Sequence, residues 1–264
     1  MDQEPYKTDY TFLMYKAAAY ANLMEDENAI SSYEIIIELH PTEVLPKIRL
    51  AQILISIGEF EPARTQLLQA ETIEPDNLEI INNQIFISEQ LHEFHNVIDL
   101  STKAIKIDEK EPSAWLTRAS ACERVKDYEL ALRDGLKAIS LIDNDDISLQ
   151  IAYNDIGYTY SKKGDLLNAE IYLRKAIEID ESEPFQFNNL GLVLAKIGKV
   201  DEGFKLINHS ISLDPNNSYA YKNRAKVYLI KGNKIKAMKD LKRAKLLDYH
   251  LDYNNEVNEL IETL

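Results

Sequence analysis

The sequence predicts an all-α solenoid of about seven helix–turn–helix units followed by a C-terminal capping helix, and three observations lead there. Landmark residues recur every 34 positions along most of the 264-residue chain. Small side chains return at three fixed offsets within each period. Glycine and proline number only eight each, too few for a loop-rich or β-rich chain of this length. The clearest unit is PFQFNNLGLVLAKIGKVDEGFKLINHSISLDPNN, from Pro184 to Asn217. In it Phe187, Leu190, Gly191 and Leu194 fall at helical spacing and Gly198 interrupts them; Gly203, Ile207 and Ser210 belong to a second helix that Pro215 ends. Two helices of this size cannot bury their faces alone, so the unit needs stacked copies of itself.

In chain order, residues 1–9 read as a flexible lead-in, and units follow at 10–43, 44–77, 78–111, 112–149, 150–183, 184–217 and 218–251. Each step is 34 residues except the fourth, which is 38. The four extra residues fall within DNDDISL, Asp143 to Leu149, expected in the loop between the fourth and fifth units. Asp143, Asp145 and Asp146 lack the spaced oxygen ligands and the glycine of a calcium loop, so a solvated loop is expected and no metal site. Residues 252–264 carry Val257, Leu260, Ile261 and Leu264 at helical spacing and are expected to cap the last exposed apolar face.

Within each unit, position 8 is small where two helices cross: Ala17, Ala51, Ala119, Gly157, Gly191 and Ala225, with Ile85 the exception. Position 20 carries Ala29, Ala63, Val97, Ala131, Ala169, Gly203 and Ala237, and position 27 carries Ile36, Ala70, Ala104, Ala138, Ala176, Ser210 and Ala244. Small residues at fixed offsets permit close helix packing, and larger ones fill the remaining space. Those larger residues include Trp115, Tyr153, Phe187 and Tyr221 at position 4, and Tyr20, Tyr160 and Tyr228 at position 11, which gives much of the tyrosine excess a structural reason. Gly58, Gly164, Gly198 and Gly232 occupy position 15 in the turn, where a positive φ is often needed. The unit from Leu78 to Glu111 departs most, with Gln84, Ile85, Ser88, His92 and Val97 at the landmark positions.

This pattern resembles the tetratricopeptide-repeat family: an aromatic, then Leu-Gly, Tyr, Ala, Phe, Ala and Pro at these offsets, matched best by the last three units and by the one with Trp115. The resemblance spans roughly residues 10–251 and implies a right-handed superhelix. It also implies a non-enzymatic binding scaffold, a family role with many unrelated partners.

Catalytic and metal chemistry find no support in the residues. The lone Cys122 excludes an internal disulfide and paired-thiolate zinc, and its apolar register position predicts a buried, inert thiol. His92 and His95 are three apart, whereas the metalloprotease motif needs four with glutamate second, so surface histidines are expected. No cofactor is expected. The acidic, polar start and the lack of long apolar runs predict a cytoplasmic protein with no membrane span.

The resemblance further implies that positions 2, 5, 6, 9, 12 and 13 of each first helix face a concave groove. In the last three units this selects Asn154, Asp155, Tyr158, Lys162, Asn188, Asn189, Lys196, Tyr219, Lys222, Asn223 and Lys226 as candidate peptide-binding residues. An amide offers donor and acceptor together and can pair with one residue of an extended backbone. A row of asparagines therefore resembles the ladder by which some members hold a peptide. These inward positions are expected to stay clear of packing between units. The carboxylate clamp for chaperone tails is matched only by Asn189, which argues against that role.

Charge is uneven. The unit 218–251 holds ten basic and two acidic side chains, net +8, which leaves −22 for the rest of a chain whose total is −14. Such a dipole steers a charged partner, and the overall acidity argues against nucleic acid. The reading is thus a scaffold holding an extended, acidic segment in the C-terminal half of its groove. The alternative is a structural or oligomer-forming subunit using its outer faces or ends, its oligomeric state being open.

Overall fold

A computed structural model describes residues 9–143, 147–247 and 251–264, with side chains in the last stretch from Glu256 onward. Most of the lead-in, together with Asp145 and Asp146 of the acidic loop, lies outside the described residues. Among the described residues there are fifteen α-helices and no strand. They come as pairs: α1 (Tyr10–Asn22) with α2 (Asp26–Leu39), α3 (Leu45–Ser56) with α4 (Phe60–Ile73), and α5 (Leu78–Gln90) with α6 (Phe94–Ile107). Then follow α7 (Pro112–Arg124) and α8 (Tyr128–Ile139), α9 (Ser148–Lys163) with α10 (Leu166–Ile179), and α11 (Pro184–Lys196) with α12 (Val200–Leu213). The last pair is α13 (Ser218–Ile230) with α14 (Lys234–Leu246), before the single helix α15 (Leu251–Glu262). Helix α9 starts at Ser148, so two of the residues expected in the acidic loop, Ser148 and Leu149, extend a helix instead.

One turn chemistry repeats in all seven hairpins. The backbone N–H of position 16 donates to the carbonyl of position 11, as in Glu59 to Leu54 (2.8 Å), Glu93 to Ser88 (2.8 Å) and Lys199 to Leu194 (2.9 Å). This six-to-one bond closes a helix only if the residue at position 15 turns left-handed. Four glycines do so, and so do Met24 (φ 58°), His92 (φ 58°) and Lys126 (φ 67°). His92 is therefore a turn residue, held in a conformation that a side chain disfavours. Polar caps start many helices: Asp9, Asn77, Asp127, Asp165, Asn217 and Asn233 each accept from a backbone N–H of the first turn.

The chain forms two compact units, Met1–Ala121 and Cys122–Leu264, whose boundary falls inside α7. In the first, one core joins Ala17, Ala29, Ile36, Ile48, Ala51, Leu67 and Ala70, and another joins Ile81, Ile85, Val97 and Ala104. In the second, Ala169, Leu173, Leu190 and Leu194 form one core, while Val257 of α15 packs with Ala225, Ala237 and Leu241 in another. Cys122 is buried.

The tightest crossing is α11 on α12. A Cβ added to Gly203 would stand 2.2 Å from the Gly191 carbonyl, and one on Gly191 would stand 2.5 Å from Ile207 Cγ1. Gly157 meets Leu173 in the same way, so position 8 touches position 24 across the hairpin. This explains the deviant third repeat. There position 8 is large, Ile85, and position 24 is small, Ser101, an exchange of volume between the two partners. The exchange leaves a polar residue inside: Ser101 is fully buried and its hydroxyl has no hydrogen-bond partner.

Candidate functional site

Helices α9, α11 and α13 run side by side in the second unit, and a cavity of about 530 Å³ opens on their shared face. All eleven residues selected from the sequence line it, joined by Ser161, Phe185, Leu192 and Glu256. The 34-residue repeat explains this convergence, since it returns positions 2, 5, 6, 9 and 13 to the same face of successive first helices.

The asparagines do not stand idle along this face, which corrects the expectation that inward positions stay clear of packing between units. Asn189 Nδ2 donates to Asn154 Oδ1 (3.1 Å), and Asn223 Nδ2 donates to Asn188 Oδ1 (3.0 Å). Position 6 of one repeat thus bonds to position 5 of the repeat before it. Asn188 and Asn223 are buried, at 1% and 6% exposure, so that pair is a structural tie between α11 and α13. Asn154 and Asn189 are half-buried and face the cavity, and Asn154 also donates to Asp155 Oδ1 (3.2 Å).

Charge gathers on one side. Lys222 is 5% exposed, its Nζ 5.4 Å from the Tyr219 ring centre and 3.1 Å from Glu256 Oε2. Lys226 bonds the other oxygen of the same carboxylate. Burial lowers the Lys222 ammonium, repulsion from Lys226 adds to this, and Glu256 only partly offsets both, bringing it to about 8. For Glu256 burial acts upward, but Lys222 and Lys226 outweigh it and hold the carboxyl at about 2. Lys196 is lowered by loss of solvent and by Lys226 and Lys162. Lys162 lies 5.1 Å from the Tyr158 ring centre. Neither Lys162 nor Lys196 has an ion pair among the described residues.

Asp155 is exposed to water, yet it lines the cavity, where neighbouring protein replaces part of its solvent shell. That loss, countered by the Asn154 hydrogen bond and reinforced by Glu123, pushes its carboxyl up to about 6. The cavity therefore presents four lysines against Glu256 and Asp155, and Asp155 is the carboxylate that gives up its charge most readily. Phe185 and Tyr219, edge to face at 6.1 Å, and Leu192 add apolar wall.

Sequence reasoning missed four lining residues. Phe185, Leu192 and Ser161 stand at positions 2, 9 and 12 and were within reach of the same rule. Glu256 lies past the last complete unit, but one more step of 34 from Lys222 lands on it, at position 5 of an eighth register. The signal was the repeat itself, continued into α15.

Two segments match family models described as tetratricopeptide repeat, residues 151–183 and 206–239. Tetratricopeptide repeat protein 8 of Caenorhabditis elegans is 23% identical over 188 residues, covering 71% of this chain and 37% of that protein. The chain thus matches little more than a third of that relative's length. Among solved structures, a tetratricopeptide repeat protein from Parabacteroides merdae superposes with a TM-score of 0.78 at 16% identity, covering 96% of this chain and 97% of the other. The Cut9–Hcn1 hetero-tetramer of the APC/C gives 0.65 at 14% identity over 98% of this chain and 56% of that one. Pseudomonas aeruginosa pilF gives 0.61 at 16% identity, over 82% and 97%. At these identities the likeness is one of fold. Among the described residues no helix is long and apolar enough to cross a membrane.

Proposed function

We propose that this chain, a tetratricopeptide-repeat protein, is a non-catalytic binding scaffold that seats an extended, acidic segment of a partner protein along α9, α11 and α13. One observation carries the reading: a single cavity holds four lysines, two of them without an ion pair among the described residues, beside half-buried amides and an apolar wall. Lysines without an ion pair draw an anion, and proximity to Lys226 makes each added negative charge relieve repulsion. Asn154 and Asn189 retain amide groups that can meet a peptide backbone, while Phe185, Leu192 and Tyr219 offer surface for its side chains.

Fluorescence anisotropy with short extended peptides of graded acidic content tests this. Affinity should rise with the number of carboxylates and fall with salt, because the lysines are reached through water. Lys162→Ala with Lys196→Ala should weaken binding roughly tenfold at low ionic strength and less at high. Asn189→Ala should chiefly speed dissociation. Affinity indifferent to peptide charge and to both lysines would overturn the reading.

A second reading rests on α1, where Tyr15 is 74% exposed, with Leu23 (68%) and Met24 (87%) beyond its end. An apolar surface of this kind suits assembly with another subunit. Self-association in sedimentation, abolished by Tyr15→Glu, would favour it.

A further inference from the structure

Glu256 has a place that the scaffold reading does not explain. Its carboxylate spans two ammonium groups, Lys222 Nζ at 3.1 Å and Lys226 Nζ on the other oxygen, inside the cavity that would receive an acidic partner. Among the described side chains of α15 it is the one acidic group that lines the cavity. The neighbouring Val257 is fully buried and, with Leu260, Ile261 and Leu264, docks α15 against Tyr219, Tyr228 and Leu241. Glu256 adds a charge contact, aimed at the lysines best placed to grip a ligand's carboxylate.

We infer that α15 is a built-in competitor: Glu256 occupies the anion site of Lys222 and Lys226, and an acidic partner binds fully only by displacing it. The inference rests on the groove reading above and names its regulation. The partner it fits carries at least two adjacent carboxylates, one replacing Glu256 and the next reaching Lys162 and Lys196. A tether holds Glu256 at a high local concentration, so a single carboxylate on a free ligand competes poorly. A ligand that also satisfies Lys162 and Lys196 gains contacts Glu256 does not make. Opening α15 is a local event at the end of the array: among the described residues it breaks one apolar stripe, the two ion pairs of Glu256 and the hydrogen bond from Lys245 to Asn258, and leaves the seven hairpins intact.

The probe is a fluorescent peptide of consecutive aspartates and glutamates with a free C-terminus, measured against wild type and Glu256→Gln at two salt concentrations. Glu256→Gln keeps shape and removes the charge. If only the open fraction binds, the variant should bind roughly tenfold tighter. Removing a nearby negative charge would itself strengthen binding without any movement, so a second readout on wild type decides between them. Hydrogen exchange across residues 251–264 should accelerate on adding peptide, while α9 and α11 are unchanged or slowed. Equal affinity of the two proteins, or α15 exchange unmoved by saturating peptide, would overturn the latch while leaving the groove reading in place. No binding by either protein would overturn both.

Discussion

Position for position, the third and sixth repeats carry Glu79, Asn82, Asn83 and Phe86 against Phe185, Asn188, Asn189 and Leu192 at positions 2, 5, 6 and 9 of their first helices. The two amides are the same in both, and the surroundings are not. In the third repeat Asn83 Nδ2 turns back to its own helix, on the Glu79 carbonyl (2.7 Å), and the Glu79 carboxylate is held by Arg49 (2.7 Å) and Gln52 (3.0 Å). The recess there is open and acidic, with its local cation already paired. In the sixth repeat Asn189 donates to Asn154 and Asn188 accepts from Asn223, and Lys162 and Lys196 stand nearby with no ion pair among the described residues. A pair of asparagines does not define a site. What lies one helix over does.

The sharpest contrast is in the packing. Gly203→Ala drives a methyl into the Gly191 carbonyl, and about 3 kcal/mol or more of stability should be lost in urea unfolding. In the third repeat the volume is exchanged: Ile85→Ala alone should cost about 2 to 4 kcal/mol, and adding Ser101→Leu should recover over half. No recovery would break the idea of an exchange.

Next in size are the amides. Asn223→Ala strands the buried Asn188 carbonyl and should cost about 1 to 3 kcal/mol. Asn83→Ala removes a bond within one half-exposed helix and should cost under about 0.5 kcal/mol. Equal losses would mean that the cross-repeat tie is no stronger than a local bond.

The turns differ more gently. His92→Gly should raise stability by about 1 kcal/mol by freeing a left-handed residue of its Cβ, whereas Gly198→His should cost a similar amount. Thermal unfolding of the two variants checks both signs.

The smallest effect depends on pH. Folding raises the Asp155 carboxyl from 3.8 to about 6, so its contribution is most favourable below about 3.8 and is lost as pH rises through 6. Glu256, depressed to about 2, acts oppositely, but only below its ordinary value of 4.5. Between pH 5 and 7 Asp155 is the one of the two that changes. Asp155→Asn should therefore stabilise the protein at pH 7 on the order of 1 kcal/mol, reduced by its water-exposed edge, and less at pH 5. A gain that is the same at both pH values would contradict the shift.

The helical hairpins were readable because backbone geometry dictates side-chain size at fixed offsets. Gly191 and Gly203 are small since nothing larger fits between α11 and α12, and Pro215 follows a helix that must stop. Other features escaped a residue-by-residue reading. Ile85 looks wrong until Ser101, sixteen residues on, is seen as its partner. Met24, His92 and Lys126 occupy a left-handed turn without being glycine. The eleven cavity-lining residues were selected by register together with the groove positions that the family resemblance implies, but register does not say which amide donates to which, because that depends on the distance between neighbouring helices. Asn223 looked like a ligand-binding group and is a buried tie. Glu256 was passed over because the repeat was stopped at its last complete hairpin.

The most direct test of the central claim is site-specific photocrosslinking with the acidic peptide at position 9 of the two repeats. A photoreactive side chain replaces Leu192 in one protein and Phe86 in the other, both in the Glu256→Gln background so that the groove is open. The account predicts efficient, salt-sensitive crosslinking from 192, competed by unlabelled peptide, and only background from 86. Equal labelling at both positions, or labelling confined to 86, would contradict it.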